Sequence, residues 1–261
     1  MEKKELHNKK FIISAAASGI GYAIANEIVQ NGGKVFLTDI DQRKINLIKS
    51  KKNLVNKIFP TKIDCNNPEE VKNYFNSLKS LKQIDGLINN IGIAGPTQYL
   101  NNISINDWKK TIDTNLNTHF YFTKYAIPLL KKNKSASIIN LSSTAGLYGF
   151  PQRSPYAASK WAILGLTKTL AMELGKFNIR VNALCPGSVQ GDRMNRVVRD
   201  KASLIKSSQK SVKKDFESMV SLKAFVTKGD IASMVVFLLS KKSKNISGQI
   251  ISVDGNTERM I

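Results

Sequence analysis

Tyr156 and Lys160 stand four residues apart in Tyr156-Ala157-Ala158-Ser159-Lys160, a spacing that puts a phenol and an ammonium on one face of a helix. An ammonium beside a phenol favours the phenolate, so this pair could take a proton from an alcohol or return one to a ketone. The same spacing is common on solvated helix faces and by itself carries little weight. A second piece of chemistry lies near the N-terminus. The segment Ser14-Ala15-Ala16-Ala17-Ser18-Gly19-Ile20-Gly21 joins an apolar run to an amphipathic stretch. Glycines there let the backbone approach a pyrophosphate, and a helix start offers free N–H groups and partial positive charge. About twenty residues on, Asp39 follows the next apolar run, where a carboxylate accepts the ribose hydroxyls of NAD and repels the 2′-phosphate of NADP. Asp41 reads instead as the N-cap of the following helix.

Elements that could position these residues alternate along the whole chain. Apolar runs of strand length fall at Phe11–Ile13, Lys34–Thr38, Ile58–Ile63, Ile84–Ile88, Ser137–Leu141, Arg180–Leu184 and Gln249–Val253. Between them run helical patterns: Ile20, Ala23, Ile24 and Ile28 on one face, closed by Gly32, and a helix opened by Asn67-Pro68. A long helix starts at the Ser104/Asp107 capping pair and reaches about Leu130; another follows Pro155, and a further one starts at the Thr227/Asp230 capping pair. Seven strands with crossover helices predict an α/β doubly wound Rossmann fold, a seven-stranded parallel sheet with helices on both faces. A ligand then sits outside the carboxyl ends of the strands.

With these residues in place, the chain resembles the short-chain dehydrogenase/reductase family from about Lys10 to Gly255. The family's opening Thr-Gly-x-x-x-Gly-x-Gly is matched by Ser14 to Gly21, with Ser14 for Thr and Ala15 for the first Gly. The resemblance implies a dinucleotide held by Ser14, Ser18, Gly19, Ile20, Gly21, Asp39 and Ile40. It adds Asp64-Cys65 for the adenine, Asn90-Ile91-Gly92 along the cofactor, and Pro186, Gly187 and Val189 at the nicotinamide, with Tyr156 and Lys160 on its ribose. Ser18, where NADP-using relatives often carry a basic residue, agrees with Asp39 in pointing to NAD. Ile91 stands where alanine is usual, and Gly191 where the family places a threonine. Ser143, thirteen residues before Tyr156, has the family's spacing for the catalytic serine and is chosen over Ser142. Asn115 matches the fourth member. The roles implied are Tyr156 as acid/base on the alcohol oxygen, Ser143 holding that oxygen, Lys160 tuning Tyr156, and Asn115 anchoring a proton-carrying water chain.

Substrate identity is less legible. Lysine outnumbers arginine by 33 to 7, so the placing of arginines carries information. Arg193, Arg196 and Arg199 recur every three residues just after Pro186-Gly187, where the family keeps a substrate lid, here at about residues 190–222 of a single domain. Arg153 lies three before Tyr156, the position at which the family's 3-hydroxybutyrate dehydrogenases place a carboxylate-gripping lysine. Their other carboxylate ligands are replaced here by Ala145 and Ala94. Guanidinium suits bidentate anion binding, so Arg153 and Arg193 with Ser143 are the expected substrate contacts; a solvated basic surface is the alternative.

Composition bounds the rest. At 261 residues and 42% hydrophobic content the chain can bury one sizeable core. The formal charge of +21 comes from dispersed lysines, with no zinc-finger spacing, RNP-type strand or basic zipper, so specific nucleic-acid binding is not expected. Cys65 and Cys185 show no metal-ligand spacing. No apolar run is long enough to span a bilayer, and the expectation is a cytoplasmic homotetramer acting on a small molecule. Two other readings stay open. A 3-oxoacyl-carrier-protein reductase would suit a basic surface but usually uses NADPH, against Asp39 and Ser18. A non-catalytic dinucleotide-binding scaffold is opposed by the intact Asn115, Ser143, Tyr156 and Lys160.

Overall fold

The computed structural model describes residues 4–260. Strands β1 (Lys10–Ile13), β2 (Lys34–Asp39), β3 (Ile58–Lys62), β4 (Gly86–Asn89), β5 (Ala136–Leu141), β6 (Ile179–Pro186) and β7 (Ile250–Val253) form one sheet in the order β3-β2-β1-β4-β5-β6-β7. Every neighbouring pair is parallel. This is the doubly wound Rossmann architecture. Pro60 is tolerated because β3 is an edge strand, where a missing N–H removes no second ladder. Each strand is offset from its apolar run by at least one residue, and two bounds are offset by two. β4 starts at Gly86, with the Asp85 carboxylate accepting the Lys10 N–H at 2.8 Å just before it, and β6 continues through Pro186 against Val253 of β7.

Side chains alternate across the sheet with period two, so Phe11 and Ile13 enter one core while Ile12 enters the other. The first core holds helices α1 (Gly19–Gln30), α2 (Gln42–Lys49) and, late in the chain, a helix over Lys228–Leu239. The second holds α3 (Pro68–Ser77), and, beyond α4 (Ile105–Ile112), α5 (Thr118–Leu130) and α6 (Ser154–Gly175). The pair α7 (Asp192–Leu204) and α8 (Gln209–Ser218) precedes that late helix, α9, and closes a small core of its own around Met194, Val197, Val198, Val212 and Phe216.

The capping chemistry explains most helix starts. Asn67 and Asp41 each accept two backbone N–H groups at the starts of α3 and α2, and Thr227 with Asp230 forms a reciprocal capping box. At α4 the Ser104 hydroxyl caps the Asp107 N–H, but the Asp107 carboxylate accepts that hydroxyl rather than the Ser104 N–H. The long helix expected from Ser104 to Leu130 is interrupted by one π-helical turn over Asp113–Asn117, which carries Asn115. Strand order reverses between β1 and β4, so the loops after β1, β4, β5 and β6 meet over one cleft.

Candidate active site

That cleft holds about 400 Å³. Ala15 and Ser18 to Ile20 line it from the β1–α1 loop, Asn90 and Ala94 from the loop after β4, and Ser142 to Thr144 after β5. Pro186 to Arg193 line it after β6, with Tyr156 and Lys160 from α6 and Arg153 just before it.

The β1–α1 loop is built to receive an anion. Gly19 has φ +62, and a Cβ added there would meet nothing within 4 Å, so the space above it is open. Ser18 is the N-cap of α1 but makes no side-chain capping bond, leaving the first N–H groups of that helix without a side-chain acceptor. Gly21 serves packing: a Cβ there would fall 2.6 Å from Asn90 Nδ2 and 2.8 Å from Ala16 Cα. Buried Ser14 pins the two loops together, its hydroxyl accepting from the N–H groups of Asn90 (3.0 Å) and Ile91 (3.2 Å). The Asn90 amide returns bonds to the carbonyls of Ser14 and Ala15. Ala15 adopts φ +50, the left-handed region that costs a residue with a Cβ about 1 kcal/mol, where glycine would be relaxed. This loop therefore fits the diphosphate of a dinucleotide.

Asp39, at the end of β2, is almost fully buried, and its two oxygens accept the N–H groups of Ala17 (2.9 Å) and Asp41 (3.0 Å). The carboxylate is thereby fixed beside the Gly19 loop with lone pairs to spare. Ile40 is exposed and Asp64 half-buried; Asp39, Ile40, Asp64 and Cys65 all lie beyond the walls of this cleft, at the ends of β2 and β3. Cys65 turns inward, its Sγ 3.6 Å from the Thr38 hydroxyl, and burial pushes the thiol up to about 12.

On the other wall, Ser142 and Ser143 are distinguished by their partners. The Ser142 hydroxyl donates to the Lys160 carbonyl at 2.8 Å and is committed to packing α6 on β5. Ser143 accepts the Ala145 N–H at 3.2 Å, and among the described residues its hydroxyl proton has no acceptor, leaving it to face the cleft. Lys160 is buried, its Nζ donating to the Leu141 carbonyl at 2.9 Å and lying 5.8 Å from the Tyr156 ring centre. Burial lowers the ammonium from its usual 10.5 to about 7, and repulsion from Arg193 acts in the same direction. Gly92 keeps this crowding possible: a Cβ there would lie 3.3 Å from Asn115 Oδ1 and 3.4 Å from Lys160 Nζ.

Asn115 reaches the site from the π-turn, a wider turn that re-aims a side chain out of the α-helical register. Its Oδ1 accepts the Ile93 N–H at 2.7 Å, and its Nδ2 donates to the Ile93 carbonyl and the Ser159 hydroxyl. Ser159 in turn donates to the Tyr156 carbonyl, so Asn115 is coupled to the helix turn that carries Tyr156. Ser159 was not singled out from sequence. A polar residue on the buried face inside Tyr-x-x-x-Lys was the available signal.

The arginines divide. Arg153 is buried, its Nη1 donating to Thr97 Oγ1 (2.9 Å) and its Nη2 to the Ala94 carbonyl (2.7 Å); among the described residues its Nε has no partner. It therefore braces the loop after β4 while lining the cleft. Arg193 stays exposed and reaches from α7 to the Gly92 carbonyl at 2.8 Å. Arg196 lines the cleft; Arg199 does not, and pairs with Asp200. Sequence reading also missed the apolar part of the wall: Phe150, Met194, Val197, Phe216 and Met260. Met260 lies far along the chain and no local pattern marks it.

Comparison with known proteins agrees with this geometry. The family model described as enoyl-(acyl carrier protein) reductase matches residues 15–256. A 3-oxoacyl-[acyl-carrier-protein] reductase of Thermotoga maritima is 33% identical over 252 residues, covering 96% of this chain and 98% of that protein. NAD⁺-bound xylitol dehydrogenase superposes with a TM-score of 0.90 at 26% identity, over 97% of this chain and 100% of its own. A variant actinorhodin polyketide ketoreductase with NADPH gives 0.89 at 25% identity, over 95% and 96%. With its cleft at the sheet's switch point and these relatives along nearly its whole length, the chain belongs to the short-chain dehydrogenase/reductase family, oxidoreductases that act on CH–OH groups.

Proposed function

We propose that this protein is an NAD-dependent dehydrogenase that interconverts a secondary alcohol and its ketone on a small polar, anionic substrate. The reading rests on one observation above all. Ser143, Tyr156 and Lys160 line the wall of a cleft that also contains the open Gly19 loop. Bound dinucleotide supplies the hydride acceptor or donor. The chain's own residues then handle the oxygen: Tyr156 takes the hydroxyl proton in oxidation, or gives it in reduction, while the Ser143 hydroxyl holds the substrate oxygen. Lys160, held by the Leu141 carbonyl 5.8 Å from the Tyr156 ring centre, puts a cation there below about pH 7 and a neutral amine above it. The side-chain amide of Asn115 is committed to the Ile93 peptide and Ser159, so a water in a proton path would attach to its backbone carbonyl. The chain acts as a single domain in which residues at about 190–222 form a lid, and it assembles as a cytoplasmic homotetramer.

Cofactor choice follows from Asp39. Its fixed carboxylate accepts ribose hydroxyls and meets the 2′-phosphate of NADP with like charge. NADH is expected to bind at least about tenfold more tightly than NADPH, about 1.4 kcal/mol, and Asp39→Ala should narrow the gap. Fluorescence titration of both, followed by a screen of acidic and neutral alcohols for NADH absorbance, tests the reading; equal affinities would overturn the NAD assignment. A second reading, a 3-oxoacyl-carrier-protein reductase, is favoured by the 33% identity to such an enzyme and by the +21 charge, which suits an acidic carrier. NADPH preference together with turnover of 3-oxoacyl thioesters would select it.

A further inference from the structure

Lys228 is the first residue of α9, and its side chain reaches back over Gly191 into the cleft. Gly191 has φ +137 and no side chain to offer; a Cβ built there would lie 3.3 Å from Lys228 Cε and 3.4 Å from its Nζ. The lysine thus occupies the space that a side chain at 191 would fill. Among the described residues its ammonium has no ion pair or hydrogen bond. The Asp230 carboxylate, two residues on, accepts the Thr227 N–H at 2.7 Å as part of the capping box.

The topology brings this cation and the anion-ready loop to one cleft. Helices α1 and α9 share one core, and both begin at the carboxyl edge of the sheet. At one start lie the uncapped N–H groups after Ser18 and the open space over Gly19; at the other lies an unpaired ammonium. Both line the same cleft. Backbone N–H groups and a point charge converging on one space are suited to a group with two adjacent negative charges and several acceptor oxygens. We propose that Lys228 is a ligand of the cofactor's diphosphate, delivered by α9 in place of a side chain at position 191. The inference rests on the dinucleotide reading above.

The test uses the full-length protein and whichever of NADH and NADPH the wild type binds more tightly. Lys228→Met should raise Kd for that dinucleotide about tenfold, the size of one charge-assisted contact. It should weaken ADP more than AMP in competition, and should flatten the salt dependence of binding. Lys228→Arg, which keeps the charge, should stay close to wild type. Lys244→Met, an exposed lysine outside the cleft, controls for loss of net charge, and circular dichroism controls for folding. Dinucleotide and ADP affinities within twofold of wild type in Lys228→Met, or an equal loss in Lys228→Arg, would overturn the lysine assignment alone. A wild type that binds neither dinucleotide would overturn the cofactor reading and this inference together.

Discussion

Lys160 shows how far the site departs from what stability alone would select. Its ammonium is buried with one carbonyl as partner, and burial lowers it from 10.5 to about 7. Between those values the unfolded chain holds a proton that the folded chain has released, so this group makes stability rise with pH across that window. Below about pH 7 both states are protonated and the destabilisation is fully present. Lys160→Met is therefore expected to melt above wild type at about pH 6, with the advantage shrinking as pH rises towards 10. At the upper end the variant should fall slightly below wild type, because the Leu141 carbonyl has lost its donor, a loss of about 1 kcal/mol. Activity should be lost throughout. A melting difference that is flat from about pH 6 to pH 10 would contradict this account. At this scale the structure brings Tyr156, Lys160 and Ser143, which the sequence picked out by spacing, to one cleft, and turns the Ser142 hydroxyl onto the Lys160 carbonyl. Ala15 was visible as a departure, but its left-handed φ belongs to the backbone and could not be read from residue type.

Elements were legible where one physical cause dominates. Strands buried on both faces read as continuous apolar runs, and caps such as Asn67 and Thr227 declare helix starts. The π-turn was not legible, since no residue type marks an inserted turn and Asn115 looks like any indifferent helix residue. The two arginines expected to grip an anion also differ in a way that spacing could not reveal. Arg153 braces the loop after β4 through Ala94 and Thr97, whereas Arg193 on α7 ties that helix to Gly92 across the cleft. Their variants should differ accordingly. Arg153→Ala removes a buried, hydrogen-bonded charge and should cost roughly 2–5 kcal/mol, lowering kcat/KM on acidic and neutral alcohols alike as the loop shifts. Arg193→Ala should leave neutral alcohols within about twofold and reduce kcat/KM on acidic ones of similar size by tenfold or more. Equal losses on both alcohol classes in Arg193→Ala would leave the anionic substrate without support from α7.

At the scale of the whole molecule, charge and apolar surface act against each other. Among the described residues no helix is long and apolar enough to cross a membrane, yet several large apolar side chains remain in water. Ile105 is 73% exposed and Trp108 37% on α4, Phe120 is 49% exposed on α5, and Trp161 (50%) and Met172 (85%) stand out on α6. Not every apolar side chain on the stretch after Ser104 is available for assembly: Phe122 and Leu130 belong to the chain's own core, and Ile127 is half-buried against it. What remains is a set on α4, α5 and α6, three helices of one sheet face, so two such faces could cover each other across a two-fold axis. Opposing this is a formal charge of +21 on every copy, which repels further copies and is screened by salt. Light scattering at micromolar concentration and about 0.15 M salt should give at least twice the 29.0 kDa of one chain through this face, and four times in the proposed homotetramer. Assembly should strengthen with added salt, the opposite of an interface held by ion pairs, because screening removes repulsion while apolar burial persists. Phe120→Glu or Met172→Glu, each placing a carboxylate on an exposed position of that face, should lower the mass without lowering the melting temperature of the separated chain. A wild type that scatters as a monomer would mean that these side chains serve some other contact.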